Sequence, residues 1–230
     1  GSKALSSALS MNKALTKKSF VNNGIKTPYY KIVKKQDMSA DLAREIFLSF
    51  PQPSVIKPAN GGSSLGVTIA RNLKEIIEAL ENAFIYSDTV VVEEFVPGKE
   101  ATCGVVDGFR DHDRYALMPT EIIDNTPGEV WGYDSKYSND LHEMRTPGDF
   151  SNKEKKEMQE LAKLVHDTLG LSHYSRTDFI VNPKRGIYVL EVNTLPGLTE
   201  ASLFPHALEA SGSNLSEFFD HTIQLAINGK

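Results

Sequence analysis

Residues 174–193 constrain this fold more than any other stretch. Tyr174 to Val181 and Ile187 to Asn193 are runs rich in β-branched and aromatic residues, joined by Asn182-Pro183-Lys184-Arg185-Gly186, so the chain turns back here as an antiparallel hairpin. Side chains alternate faces along a strand, which puts Arg176 and Asp178 on one face, and Glu191 and Asn193 on one face of the partner. With a turn over 183–186, Asp178 falls opposite Glu191 and Arg176 opposite Asn193, all on the same side. Two readings fit. An Asp, a Glu and an Asn beside a cation form a hard-oxygen site suited to Mg2+, with substrate phosphates completing the octahedron. The same residues also form a cross-strand salt-bridge lattice on a wet face. Against the lattice, Phe179, Ile180, Val189, Leu190 and Val192 surround them with apolar side chains that a solvated edge does not need.

Helices follow from apolar periodicity. Asn72 to Tyr86 carries Leu73, Ile76, Ile77, Leu80 and Phe84 on one face behind an Asn72 cap. Ser151 to Leu169 starts with Ser151 and Glu154 in capping-box spacing and stops at Gly170. Asn214 to Asn228 carries Leu215, Phe218, Phe219, Thr222 and Ala226, and shorter helices are expected near Lys13 to Asn23 and Ser39 to Phe47. Further strands are expected at Tyr29–Val33, Ser54–Lys57, Val67–Ala70, Thr89–Phe95, Ala101–Val106 and Tyr115–Met118, while 124–150 and 194–203 read as irregular loops. This order implies an α+β fold in two lobes rather than one doubly wound sheet.

Composition sets the outer bounds. With 230 residues, 40% of them hydrophobic, the chain can build one large or two small cores. A net charge of −5 argues against a nucleic-acid or membrane-surface partner, although a basic pocket can sit inside an acidic total. No apolar run is long enough to span a membrane, and the first residues lack the layout of a secretion signal. A single cysteine, Cys103, forms no internal disulfide, so a reducing cytoplasm is the expected compartment. Lying in an apolar strand with no histidine near it in sequence, Cys103 reads as an inert thiol.

Four other segments carry possible chemistry. Lys57-Pro58-Ala59-Asn60-Gly61-Gly62-Ser63-Ser64-Leu65-Gly66 lets backbone N–H groups and two hydroxyls approach phosphate oxygens, with Lys57 in reach; a plain hairpin loop is the alternative. Val90 to Glu100 runs a buried strand into Glu93, Glu94, Phe95 and Val96, which can present backbone edges to an adenine with Glu100 near its ribose; a solvated pair of glutamates is the alternative. Asn193 to Leu203 leads through Gly197 into a helix near Ser202, a site for a carboxylate or a simple cap. Lys136 and Tyr137 stand in the long loop as a mobile phosphate ligand and a lid residue, or as ordinary surface residues.

In order, these segments resemble the ATP-grasp ligases and, within them, the D-alanine:D-alanine ligase family. The resemblance runs from SALSMNKALTK through KPANGGSSLGV, VVVEEFVPGKEAT, YDSKY and SRTDFIV to LEVNTLPGLTEASLFP, the last being the most specific. It implies two lobes of mainly antiparallel sheet with packed helices, here 1–96 as the central lobe and 97–230 as the C-terminal lobe. It further implies ATP-dependent joining of two D-alanines through an acylphosphate, for peptidoglycan synthesis, with Mg2+ (Mn2+ as a substitute) as cofactor.

By the same resemblance, Lys13 and Lys57 would contact the ATP phosphates under the loop of Gly62, Ser63 and Ser64. Glu93, Glu94, Phe95 and Val96 would hold adenine and Glu100 the ribose. Asp178, Glu191 and Asn193 would bind two Mg2+, with Glu191 bridging. Lys136 would hold the γ-phosphate, and Arg176 and Gly197 would stabilise the tetrahedral transition state. Ser202 and Leu203 would take the carboxylate of the second D-alanine, and Ser63 and Tyr137 would orient the first and close the lid. Tyr137 favours D-alanine over D-lactate as second substrate. The family carries an N-terminal domain ahead of SALSMNK, and this chain is expected to represent the parts that follow it. A homodimer is compatible with these features, and ATP binding without ligation, or ligation of another carboxylate and amine, are the alternatives.

Overall fold

The computed structural model describes residues 1–62, 64–124 and 142–229. Its helices are α1 (Ala4–Met11), α2 (Lys13–Asn22), α3 (Ala40–Ser49), α4 (Leu73–Tyr86), α5 (Asn152–Thr168), α6 (Leu203–Ala210) and α7 (Leu215–Ile227). Its strands are β1 (Tyr30–Lys34), β2 (Ser54–Pro58), β3 (Thr68–Ala70), β4 (Thr89–Glu94), β5 (Lys99–Asp107), β6 (Arg114–Ala116), β7 (Thr120–Asp124), β8 (His142–Arg145), β9 (Tyr174–Asn182) and β10 (Gly186–Asn193). Among the described residues no helix is long and apolar enough to cross a membrane.

Helix starts follow the local chemistry. Asn72 accepts from Glu75 N at 3.0 Å, Asn214 accepts from Glu217 N at 3.0 Å, and Ser151 with Glu154 forms a complete capping box. Each satisfies amide donors that the first turn leaves without helical partners. Three features differ from the sequence reading. Helix α1 precedes the expected first helix. Strands β7 and β8 are ordered by pairing with one another, Glu121 against Arg145 through Asp124 against His142, although neither has a strong apolar alternation. On α7, Phe218 and Leu225 are buried while Phe219 is 44% exposed, so the buried stripe is narrower than the sequence implied.

Two antiparallel sheets organise the described residues. The first has order β1-β4-β2-β3; the second has order β10-β9-β5-β7-β8, with β6 also on β5. In β4 the period of two is plain. Val90 and Val92 join Val33 and Ile56 beneath α3 and α4, contributing Ile46, Ile76 and Leu80. Val91 belongs instead to a small cluster with Ala14 of α2, and Glu93 shares its parity. In the second sheet Ala101, Cys103, Phe179, Val181 and Val189 pack against Met158, Ala162 and Val165 of α5, together with Phe20 and Ile25 from the start of the chain. The opposite face is covered at one end by Phe204, Leu208 and Phe218 of α6 and α7. Its remainder, including Asp178 and Ile180, faces the cleft between the sheets.

Candidate active site

The hairpin reaches the expected pairing by an unexpected route. Asn182 pairs with Gly186 and Phe179 with Val189, so the turn is one residue shorter than a 183–186 loop. A bulge between Val189 and Glu191 then shifts the register, and Asp178 meets Glu191 while Arg176 meets Asn193. Simple alternation from Ile187 and Val189 would send Glu191 into the α5 core. The extra residue, Leu190, turns both itself and Glu191 to the cleft.

The Asp178 carboxylate is held by four donors. Arg176 Nε reaches Oδ1 at 2.8 Å and Nη2 reaches Oδ2 at 3.0 Å. Thr102 Oγ1 donates to Oδ1 at 2.9 Å, and Asn193 Nδ2 to Oδ2 at 3.0 Å. Burial alone would lower the Arg176 pKa, but the Asp178 carboxylate outweighs it and holds the guanidinium above its usual value. Glu191 pairs with Lys13 Nζ at 3.3 Å. Two carboxylates and an amide on paired strands are a donor set of the kind Mg2+ takes. Among the described residues no group of three or more His, Cys, Asp or Glu gathers to hold a metal.

Opposite the hairpin, the phosphate loop is tied to α2. Lys13 Nζ donates to Gly61 O at 2.9 Å, Lys13 N to Ala59 O at 2.7 Å, and Asn12 Nδ2 to Asn60 Oδ1 at 3.0 Å. Gly66 has φ +73, and a Cβ there would lie 2.7 Å from Tyr86 Cδ2 and 2.9 Å from Pro58 Cγ, so only glycine closes this loop. Lys57 Nζ lies 2.9 Å from Glu93 Oε1. Glu93 is 2% exposed, whereas Glu94, at the rim of the cleft, accepts from Tyr29 N at 3.1 Å and pairs with Arg185 of the β9–β10 turn at 2.9 Å.

Between these walls lies a cleft, partly open to solvent, lined by Lys13, Lys57, Gly62, Ser64, Glu93, Glu94, Phe95, Val96, Glu100, Asp178 and Glu191. Sequence reasoning had placed all of these in the site. It missed the apolar walls Val55, Ile69 and Ile122, and the buried Thr102 and Lys17, because single hydrophobic or buried polar positions carry no motif; Ile180 and Leu190, expected as apolar neighbours of the hairpin carboxylates, line the cleft as well. Arg176 and Asn193 join through Asp178. Gly197 and Ser202 form a neighbouring cluster after β10: a Cβ on Gly197 would lie 2.7 Å from Ser202 Oγ, and Thr199 N donates to that hydroxyl at 3.2 Å. Leu203 is buried, leaving its backbone as the group it can offer. His173 just before Arg176 takes φ +69, a conformation that glycine adopts freely. Ser63, Lys136 and Tyr137 lie outside the described residues. Burial pushes the Cys103 thiol up to about 12, as an inert core thiol requires.

A family model described as the D-ala D-ala ligase C-terminus matches residues 20–224. The chain belongs to the D-Ala–D-Ala ligase C-terminal family. Among this family's relatives, D-alanine–D-alanine ligase B of Clostridium tetani is 37% identical over all of this chain and 64% of its own length. The D-alanine–D-alanine ligase of Maridesulfovibrio salexigens is 38% identical over 98% of this chain and 70% of its own. The chain thus spans about two thirds of the relatives it matches. Among solved structures, the VanG D-Ala:D-Ser ligase of Enterococcus faecalis superposes with TM-score 0.85 at 31% identity, covering 97% of this chain and 64% of that one. The Bacillus anthracis D-alanine–D-alanine ligase complexed with ATP gives 0.79 at 30% identity, covering 99% and 70%. The two-lobed α+β fold of antiparallel sheets is the ATP-grasp fold of these ligases.

Proposed function

We propose that this chain performs the nucleotide-dependent half of a D-alanine:D-alanine ligase: ATP-driven joining of two D-alanines, through an acylphosphate, for peptidoglycan synthesis in the cytoplasm. The observation that carries this is the cleft, which gathers Lys13, Lys57 and the glycine loop against Asp178 and Glu191. Phe95, Val96, Leu190 and Ile180 form an apolar slot for a base beside Glu100.

A carboxylate is a poor electrophile, so the carboxylate of the first D-alanine attacks the γ-phosphate and ADP leaves; the amine of the second, having lost a proton, then displaces phosphate from the acylphosphate. Both steps spread negative charge over oxygens. Lys13 and Lys57 bind the polyphosphate, Asp178 and Glu191 with Asn193 would hold Mg2+, and Arg176, locked by Asp178, faces the developing oxyanion with Gly197. Bound Mg2+ supplies charge neutralisation on the transferring phosphoryl group. Ser202 and the Leu203 backbone take the second carboxylate, while Ser63, Lys136 and Tyr137 keep the roles implied by their motifs. The lobe division at 96/97 is supported by Pro97-Gly98 between β4 and β5, although Phe20 and Ile25 reach into the second core.

D-alanine-stimulated phosphate release with D-alanyl-D-alanine as product tests the reading, and Glu191→Gln should abolish it while leaving the fold intact. Binding of ATP without ligation would reduce the reading to a nucleotide site. Release stimulated by D-serine or another amine, and not by D-alanine, would change the substrate; undiminished turnover in Glu191→Gln would remove the metal assignment.

A further inference from the structure

Lys17 stands one turn after Lys13 on α2 and is 1% exposed. A lysine this deep needs compensation, and its Nζ has it from Glu93 Oε1 at 3.0 Å and Thr27 Oγ1 at 2.6 Å. Lys57 Nζ uses the same Glu93 oxygen at 2.9 Å. Two ammonium groups therefore share one carboxylate at the floor of the cleft, leaving one positive charge unbalanced. Without Lys17, Glu93 and Lys57 would form a closed neutral pair with little attraction for phosphate.

We infer that Lys17 is a positioning residue for the nucleotide, drawing the Glu93 carboxylate from behind so that Lys57 presents uncompensated charge to the polyphosphate. This rests on the nucleotide reading above and adds a proton to it. The groups acting on Lys17 are Glu93 of β4, Lys57 of β2, Glu191 of β10 and the Tyr30 ring of β1, 5.7 Å away. Burial lowers its pKa to about 8, against the pull of Glu93. A polyphosphate arriving beside Lys57 favours the charged form, so binding draws a proton onto Lys17 wherever it is partly deprotonated.

Calorimetry of Mg-ADP binding to the full chain, in buffers of different ionisation heat, reads this proton directly. Wild type takes up protons at about pH 8 and none at about pH 6, where Lys17 is already charged. Lys17→Arg keeps the charge at every pH: it binds within about threefold of wild type, flat with pH and without uptake. Lys17→Met binds about tenfold more weakly or worse, also without uptake. Wild-type affinity declines from about pH 7 to 9 toward that of Lys17→Met. A residue that merely filled space would show neither the proton nor the Arg–Met split. Mg-ADP binding without proton uptake at about pH 8, or Lys17→Met binding as tightly as wild type, overturns the inference while the nucleotide reading stands. The proton count on wild type holds even if a variant misfolds. Absence of Mg-ADP binding by wild type at any pH removes both.

Discussion

Thr102→Val removes one buried hydroxyl that supports the candidate metal hairpin from β5. Thr102 is 2% exposed and lies on β5 opposite Asp178, so its hydroxyl meets Oδ1 at 2.9 Å, with Thr177 O as a longer second acceptor at 3.2 Å, without solvent competition. Valine has nearly the same shape, so no cavity opens and the change reads the donor alone. A hydrogen bond to a charged group contributes about 1.5–3 kcal/mol. Oδ1 still keeps Arg176 Nε at 2.8 Å, so the carboxylate is not orphaned and the loss falls at the lower end, about 1.5 kcal/mol. For a chain this long, where each kcal/mol shifts the midpoint by about 2–4 °C, that is a drop of about 3–6 °C. Thermal unfolding followed by circular dichroism measures it, with Thr102→Ser as the control that restores the hydroxyl. If Thr102→Val melts within about 1 °C of wild type, the Asp178 carboxylate does not depend on this donor and the account of its rigid placement is wrong.

Two further outcomes follow from the packing and the charges. A Cβ on Gly104 would lie 2.7 Å from Leu117 Cδ1 and 2.8 Å from Phe204 Cε2, so Gly104→Ala should destabilise by about 1–3 kcal/mol through overpacking, read as a lower urea midpoint; an unchanged midpoint would mean that α6 yields freely. Lys17 falls from 10.5 in the unfolded chain to about 8 when folded. Between those values the unfolded chain binds the extra proton, so its penalty is fully present below about pH 8 and stability without nucleotide rises as pH climbs toward 10.5. Denaturation across that range should show the rise in wild type and its absence in Lys17→Met; parallel curves would place Lys17 in a wetter setting than its burial implies.

Much of this protein was legible in order along the chain. Asn72, Ser151 and Asn214 announced their helices because a cap and its first turn are local chemistry. The existence of the hairpin and the pairing of Asp178 with Glu191 were expected from the strand pattern, and the family motifs lay in unbroken runs of residues. What the sequence could not decide depended on partners far away in the chain. Strand β8 exists because β7 lies beside it, not because His142-Glu143-Met144-Arg145 prefers extension. Glu191 points to the cleft because a bulge at Leu190 corrects a turn one residue shorter than expected. Glu93, implied by the family resemblance to be one of four residues holding adenine, is buried between two lysines that lie 40 residues apart on α2 and β2. Backbone periodicity and capping act over a few residues and are written in the sequence. Register, burial and the sharing of one carboxylate by two cations arise only when distant segments exclude water together.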